Sequence, residues 1–397
     1  MQTPSAKPNV TLLLILILLV IFCPMAIDIY LPAFPTIAEQ LHVSEQQVQQ
    51  TVAIFMLTVG LGQLIAGPLA DKFGRKPVAI VGICLYGLSA LAAYFSTSFE
   101  ILMLARAIQG LGACATFVSA FAIVRDKYGP EKSGQMITYL NGIVCFIPAL
   151  APILGAWLTL QFGWRMNFMF LTVFAVIGLA VTILFFRETR PADSHYQGHI
   201  LDFRRFTPII KTPIFLFNSL ICMIAMSAIL VFVTLAPGWI ITELGGSVTD
   251  FTFWFTLNAI LSIVASFLAP IYIKRNSQRA LRVGLSLLLF SGGLMLLLSR
   301  VHTALAFMIP ILISALGFSL CLGSAAGMAL SRFAKQAGTA SALIGLMQMS
   351  GASVLVLISH YLALSAPWLI AFHLLLLTPL WLILMSKKAH SLHPTKG

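Results

Sequence analysis

Long apolar blocks, separated by short stretches where Gly, Pro and charged residues gather, repeat along the whole chain. Read against that punctuation, the pattern predicts helices near residues 10–34, 48–70, 77–96, 99–124, 134–160 and 165–186, and again near 213–238, 248–273, 279–299, 303–330, 336–363 and 365–386. A hydrocarbon layer about 30 Å thick takes about 20 helical residues to cross, so each block is long enough to span a membrane. The first run, from Val10 to Ala33, exceeds the roughly 7 to 15 apolar residues of a signal-peptide core and has no small-residue cleavage site after it. It reads as the first span. The longest polar stretch, Arg187 to Thr212, falls midway and predicts three parts: an N-terminal six-helix bundle at 1–186, a linker at 187–212 and a C-terminal six-helix bundle at 213–397. A weak internal echo supports two related halves, since Gly67-Pro68-Leu69 and Ala269-Pro270-Ile271 each close a span before a basic turn. The fold class expected is therefore all-α integral membrane, with twelve transmembrane helices in two six-helix bundles around a central cavity, the plan of rocker-type secondary transporters.

Composition sharpens this picture. Of 397 residues, 59% are hydrophobic and 9% charged, too few charges to solvate a soluble globule. A formal charge of +12 suggests nucleic acid until its placement is considered. With the N-terminus in the cytoplasm, Lys7, Lys72, Arg75, Lys76, Arg125, Lys127, Lys132, Arg187, Arg190, Arg204, Arg205, Lys211, Lys274, Arg275, Arg279, Arg282, Arg332, Lys335, Lys387, Lys388 and Lys396 all face inward. Arg165 and Arg300 remain outside and Arg106 lies within a span. That asymmetry follows the positive-inside rule and places both termini in the cytoplasm. The partners expected are the lipid bilayer, a small-molecule substrate and protons, with no nucleic acid.

Catalytic and metal chemistry find no support. The six cysteines lie singly in apolar runs without metal-ligand or redox spacing. There is no GxxxxGK[ST] phosphate loop and no HExxH pair, so no enzyme, ATP-driven pump, cofactor or metal is expected. Apart from histidines, the ionisable residues well inside spans are Asp28 and Arg106. Burying either costs on the order of 3 kcal/mol, so each needs a reason to be there. Counted from the outer ends of their spans, both come out some 10 to 12 Å deep at about 1.5 Å per residue, where they could pair directly or through water. A carboxylate that a proton neutralises, beside a permanent cation, is a minimal coupling device. A polar residue at a breaking helix end for Asp28, and snorkelling for Arg106, are the alternatives.

Several motifs carry a family resemblance. Gly67-Pro68-Leu69-Ala70-Asp71-Lys72-Phe73-Gly74-Arg75-Lys76 resembles the signature loop of the major facilitator superfamily. Physically, Gly67 and Gly74 suit close helix approach and a tight turn. The resemblance implies a latch in which Asp71 pairs near Arg125, with Arg75 among the gating residues. Asp28-Ile29-Tyr30-Leu31-Pro32 and Arg106-Ala107-Ile108-Gln109-Gly110-Leu111-Gly112 look like the first- and fourth-helix motifs of drug:proton antiporters of the Bcr/CflA type, which includes bicyclomycin and chloramphenicol exporters. Val124-Arg125-Asp126, Trp164-Arg165 and Arg187-Glu188-Thr189-Arg190 fit the same group, and within it the MdtL-like members. In the second half the match is mainly in hydropathy and in Gly338-Thr339-Ala340-Ser341. Pro148-Ala149-Leu150-Ala151-Pro152-Ile153-Leu154-Gly155-Ala156 resembles the antiporter motif of exporters, with Ala151 and Ala156 where glycines are usual. Its prolines should bend the fifth span while Gly155 lets it press on a neighbour; a kink without directional meaning is the alternative.

For the substrate site, Tyr30 and Gln109 are candidates beside the coupling residues, Gln109 lying three after Arg106 on one helix face. Tyr139, Asn141 and Asn258 are further candidates, because intramembrane amides tend to face the bundle interior. His302, His360 and His373 receive no role. The function expected is proton-coupled antiport that exports small amphipathic drugs such as chloramphenicol-like antimicrobials across the bacterial inner membrane, from a monomer. An exporter of a specific metabolite such as an amino acid or sugar derivative, an uptake system, and a non-transporting receptor or structural protein are the competing readings.

Overall fold

The computed structural model describes residues 10–190, 203–333 and 336–386. Lys7, Lys335, Lys387, Lys388, Lys396 and the middle of the linker lie outside them, as does the side chain of Lys132. Among the described residues twelve helices are long and apolar enough to cross a membrane: α1 (Val10–Gln40), α2 (Glu45–Phe73), α3 (Arg75–Tyr94), α4 (Phe99–Gly129), α5 (Tyr139–Phe162), α6 (Arg165–Phe185), α7 (Pro213–Glu243), α8 (Val248–Arg275), α9 (Ser277–Leu298), α10 (Ala304–Leu330), α11 (Gly338–Leu362) and α12 (Ala366–Met385). The chain is a multi-pass membrane protein. An even number of spans puts the first and last on the side that also carries the linker, called here the linker face. Outward-facing Val81, Leu88, Leu104, Val176, Leu184 and Leu297 are exposed, which in a bilayer is contact with lipid tails.

Local chemistry sets the helix ends. Ser44 accepts from the backbone N–H of Gln47 while the Gln47 side chain accepts from that of Ser44, a capping box that starts α2. Ser247 and Asp250 do the same for α8, and Ser98 caps α4. The largest difference from the sequence expectation is α1. Its helix breaks after Asp28, passes through a 3-10 turn at Leu31–Ala33 where Pro32 sits, and continues as Phe34–Gln40. A proline at the first turn starts a new helical segment as readily as it ends the previous one, so the span runs on beyond residue 34.

The two halves repeat each other in packing more clearly than in sequence. Gly82 on α3 and Gly112 on α4 face each other so closely that a Cβ on either would lie within 3.0 Å of the other's carbonyl oxygen. Gly284 on α9 and Gly317 on α10 make the same reciprocal contact, each at 3.0 Å. Both pairs let backbones approach where lipid supplies no hydrophobic drive to hold helices together. Between the halves, α2 crosses α11 at Gly60, against Ser350, whose hydroxyl donates to the Leu57 carbonyl at 2.7 Å. At that crossing α11 passes through a π-helical segment, Leu346–Gly351.

On the face opposite the linker, the halves are tied together. Thr242 donates to the Glu45 carboxylate at 2.5 Å, and the Gln46 amide donates to the His360 carbonyl at 3.2 Å. On the linker face they part around a cavity.

Candidate transport site

The cavity has a volume of about 650 Å³ and opens on the linker face. Phe117 and Phe121 of α4, Phe206 of the linker and Met349 of α11 give it apolar walls. Gln63 of α2, Asn141 of α5 and Gln348 of α11 add amides, and Asp71, Arg125 and Arg205 add charge. An apolar vault with a few converging polar groups is what an amphipathic small molecule requires.

At the mouth lies a charged network. Gly74 separates α2 from α3 at φ 106°, a backbone conformation that side chains resist, and so allows the turn. Arg75 pairs with Asp71 at 2.7 Å and with Asp126 of α4 at 2.9 Å. Asp71 thus takes Arg75, four residues on, as its direct ion-pair partner in place of the Arg125 that the resemblance implied, while Arg125 lies within its electrostatic reach. Arg125 instead lies beside Gly338 at the start of α11, where an added Cβ would be 3.2 Å from its guanidinium. The close-packing role expected of Gly67 also fails, since a Cβ there meets nothing within 4 Å and the residue borders the cavity. Arg205 donates to the Leu64 carbonyl at 3.0 Å, so the linker forms part of the wall.

Glu188, which the sequence presents only as part of a motif, closes this network. Its carboxylate accepts from the backbone N–H groups of Arg75 and Lys76, both at 3.0 Å, and of Thr189 and Arg190 at 2.8 and 2.9 Å. It thus caps α3, whose own N-cap is a glycine without a side chain. Partial burial pushes its pKa up, but the four donors outweigh that and hold it below the usual carboxylate range.

Deeper in the first half, Arg106 is fully buried. Its Nη1 donates to Gln109 Oε1 at 2.5 Å, and its guanidinium lies 4.7 Å from the Tyr30 ring centroid and 4.4 Å from that of Phe55. Aromatic faces on both sides stabilise a cation by about 0.5–2 kcal/mol each. Tyr30 is fixed in turn by a 2.8 Å hydrogen bond to Thr51, whose own hydroxyl donates to the Val48 carbonyl. Arg106 Nε and Nη2 have no hydrogen-bond partner among the described residues. Asp28, 5% exposed, makes no ion pair with it. The continuation of α1 explains why: Asp28 stands twelve positions before Gln40 but Arg106 only seven after Phe99, which puts Asp28 roughly 18 Å and Arg106 roughly 10 Å from their span ends. Tyr30, not Asp28, is level with Arg106. Cys23 lies within electrostatic reach of both charges, so they share one compartment without touching.

Residues 16–356 match the sequence model of the Major Facilitator Superfamily. The chain belongs to that family. Among its relatives are two proteins named Multidrug resistance protein MdtL, from Salmonella heidelberg (strain SL476) and Salmonella agona (strain SL483). Each is 31% identical over 351 residues, covering 88% of this chain and 87% of the relative. Two solved structures share the fold. The human organic anion transporter MFSD10 (TETRAN) has a TM-score of 0.72 at 16% identity, covering 96% of this chain and 100% of its own. A D-xylose-proton symporter has a TM-score of 0.75 at 12% identity, covering 96% and 98%.

As a major facilitator the protein is a transporter rather than an enzyme, and its sequence-derived candidates fall into separate places. Asn141 lines the cavity, whereas Tyr139, two residues away and so on nearly the opposite side of the helix, is 56% exposed. Tyr30 and Gln109 belong to the buried Arg106 cluster and not to the cavity wall. Asn258 is half-buried, away from the cavity lining. In α5 the helix breaks at Cys145 and Phe146, and Pro148 opens its second segment, with Pro152 buried inside it, as the bend required. Gly155 abuts α1 so tightly that a Cβ would collide with the Ile29 carbonyl, one residue past Asp28. The cavity residues Gln63, Gln348, Phe117 and Phe121 were not picked out from sequence, because one amide or ring in an apolar helix looks like any other until its azimuth is known.

Proposed function

We propose that this transporter exports small amphipathic compounds from a bacterial cytoplasm across the inner membrane, in exchange for protons, as a monomer. The observation that carries the reading is the amphipathic cavity, open on the linker face and closed on the other. The linker face holds the basic turns, and the positive-inside rule makes it cytoplasmic. Relatives named for multidrug resistance support export of drugs over export of one metabolite. Domain boundaries at 1–186, 187–212 and 213–397 suit two rocking bundles joined by a linker.

In this reading Asp28 and Arg106 are the coupling pair. The bare Nε and Nη2 of Arg106 await a partner, and tilting of α1 brings the Asp28 carboxylate toward them in the other state. Asp71, Gly74, Arg75, Arg125, Pro148, Pro152 and Gly155 then serve gating, and Asn141 contacts substrate.

The test uses everted vesicles with an imposed acid interior, to which chloramphenicol or a cationic drug is added. Drug-dependent release of the gradient, present in the wild type and absent in Asp28→Asn, is the expected outcome. No release with any drug moves the assignment to a narrow metabolite exporter, and release undiminished in Asp28→Asn removes that residue from coupling.

A further inference from the structure

The second half contains a buried histidine that the proposed transport cycle does not use. His373 on α12 is wholly enclosed and bridges two other helices. Its Nδ1 lies 2.8 Å from Ser227 Oγ on α7, and its Nε2 lies 2.8 Å from Ser359 Oγ on α11. Each serine hydroxyl also reaches back to its own helix, Ser227 to the Ile224 carbonyl at 2.7 Å and Ser359 to the Val356 carbonyl at 2.9 Å.

The hydrogens do not balance for a neutral ring. Four contacts need filling. Two hydroxyl protons and the one N–H of a neutral imidazole supply one fewer than that. With a neutral ring, one serine must turn away from its carbonyl, or one ring nitrogen must face a serine oxygen with no hydrogen between them. An added proton fills all four contacts at once, and those donated by the charged ring are stronger than neutral ones.

We propose that His373, Ser227 and Ser359 form a second proton-binding site, in the C-terminal half, linked to closure of the face opposite the linker. It goes beyond the coupling assigned to Asp28 and does not depend on it. The link is short: Ser359 adjoins His360, whose carbonyl receives the Gln46 amide from the first half. Few charges oppose or assist the site among the described residues. His360 on α11 is the ionisable group whose charge reaches His373. On α7 the titratable residues are buried Cys222 and, at the end opposite the linker, Glu243, and α9, which packs Gly292 against Leu374 and Leu375, carries its ionisable Arg279 and Arg282 at the far, linker-face end. No carboxylate pairs with the ring, so its proton is held by the serines alone.

The decisive measurement is the ¹⁵N-histidine spectrum of the full chain in lipid nanodiscs across pH, in an Asp28→Asn background that silences the other site. The expected result is one buried histidine ring that passes from one to two N–H groups, its signal absent in His373→Gln. Ser359→Ala removes one serine proton and two of the contacts, leaving two that a neutral ring and Ser227 satisfy; in that variant the two-proton ring signal is lost although His373 is still present. Hydrogen exchange at Ser44–Val48 and Ala352–Leu362, corrected for intrinsic pH effects, should change with the same pH dependence and lose it in Ser359→Ala. A His373 ring that never gains a second N–H, or one that gains it equally in Ser359→Ala, overturns the site. Exchange that ignores its protonation overturns the link to closure.

Discussion

At the scale of single residues, charge and hydrogen-bond capacity decide roles. Asp28→Asn keeps size and removes the titratable group, so proton-linked efflux should fall to background while purified protein retains its helical content. Glu188 offers a different pH test. Its carboxyl titrates lower in the folded chain than in the unfolded one, so its capping of α3 contributes fully above the unfolded value and is lost as pH falls through the folded value. Glu188→Gln should therefore melt below wild type at pH 7, and the gap should begin to narrow only as pH falls below about 4.3, the ordinary glutamate value, and close once pH drops below the lower folded value. A gap of constant size across that range would assign the effect to shape and not charge. Asp28, Arg106 and Asp71 stood out in the sequence because charge inside or beside an apolar run is conspicuous. Their partners did not, because pairing depends on where neighbouring helices place them: Arg106 meets two rings and an amide, and Asp71 meets Arg75.

Among the helices, periodicity and length made the spans legible to within a few residues, as α4, which begins at Phe99, and α10, which ends at Leu330, illustrate. The largest departure was α1, where Pro32 reads equally well as an end or a restart, and α7 likewise runs on past Pro237 to Glu243. Contacts between helices were legible only where glycine marked them. Gly155 is the sharpest case, with the bent α5 pressed onto the backbone next to Asp28. Gly155→Leu must push α1 and α5 apart, and overpacking of this kind costs about 1–3 kcal/mol. If the contact shapes the coupling step, drug efflux at fixed expression should drop about tenfold or more, since 1.4 kcal/mol is a factor of ten. Efflux at the wild-type rate would leave the bend a packing feature alone. The π-helical segment of α11 was not visible in sequence at all, since Leu346–Gly351 contains nothing that distinguishes it from α-helix.

For the molecule as a whole, two bundles meet around one cavity, closed on the side held by Glu45, Gln46, Thr242 and His360. Removing both ties, as Glu45→Ala with Gln46→Ala, should shift the population toward opening on that side. A cysteine at buried Gln49, just behind them, should then react with a membrane-impermeant thiol reagent about tenfold faster than in a chain with the ties intact. Unchanged reactivity would mean the closure is held elsewhere. The ties also set a scale of work. Net of water, the Gln46 tie is worth on the order of 1 kcal/mol and the Thr242 tie to a charged carboxylate about 1.5–3 kcal/mol, while one elementary charge moving through 100 mV releases about 2.3 kcal/mol. In the proposed proton-driven cycle these quantities are of one size, so the membrane voltage acting on a single proton goes far toward undoing the two ties, and a cell that loses its voltage would leave the transporter resting with its mouth toward the linker face.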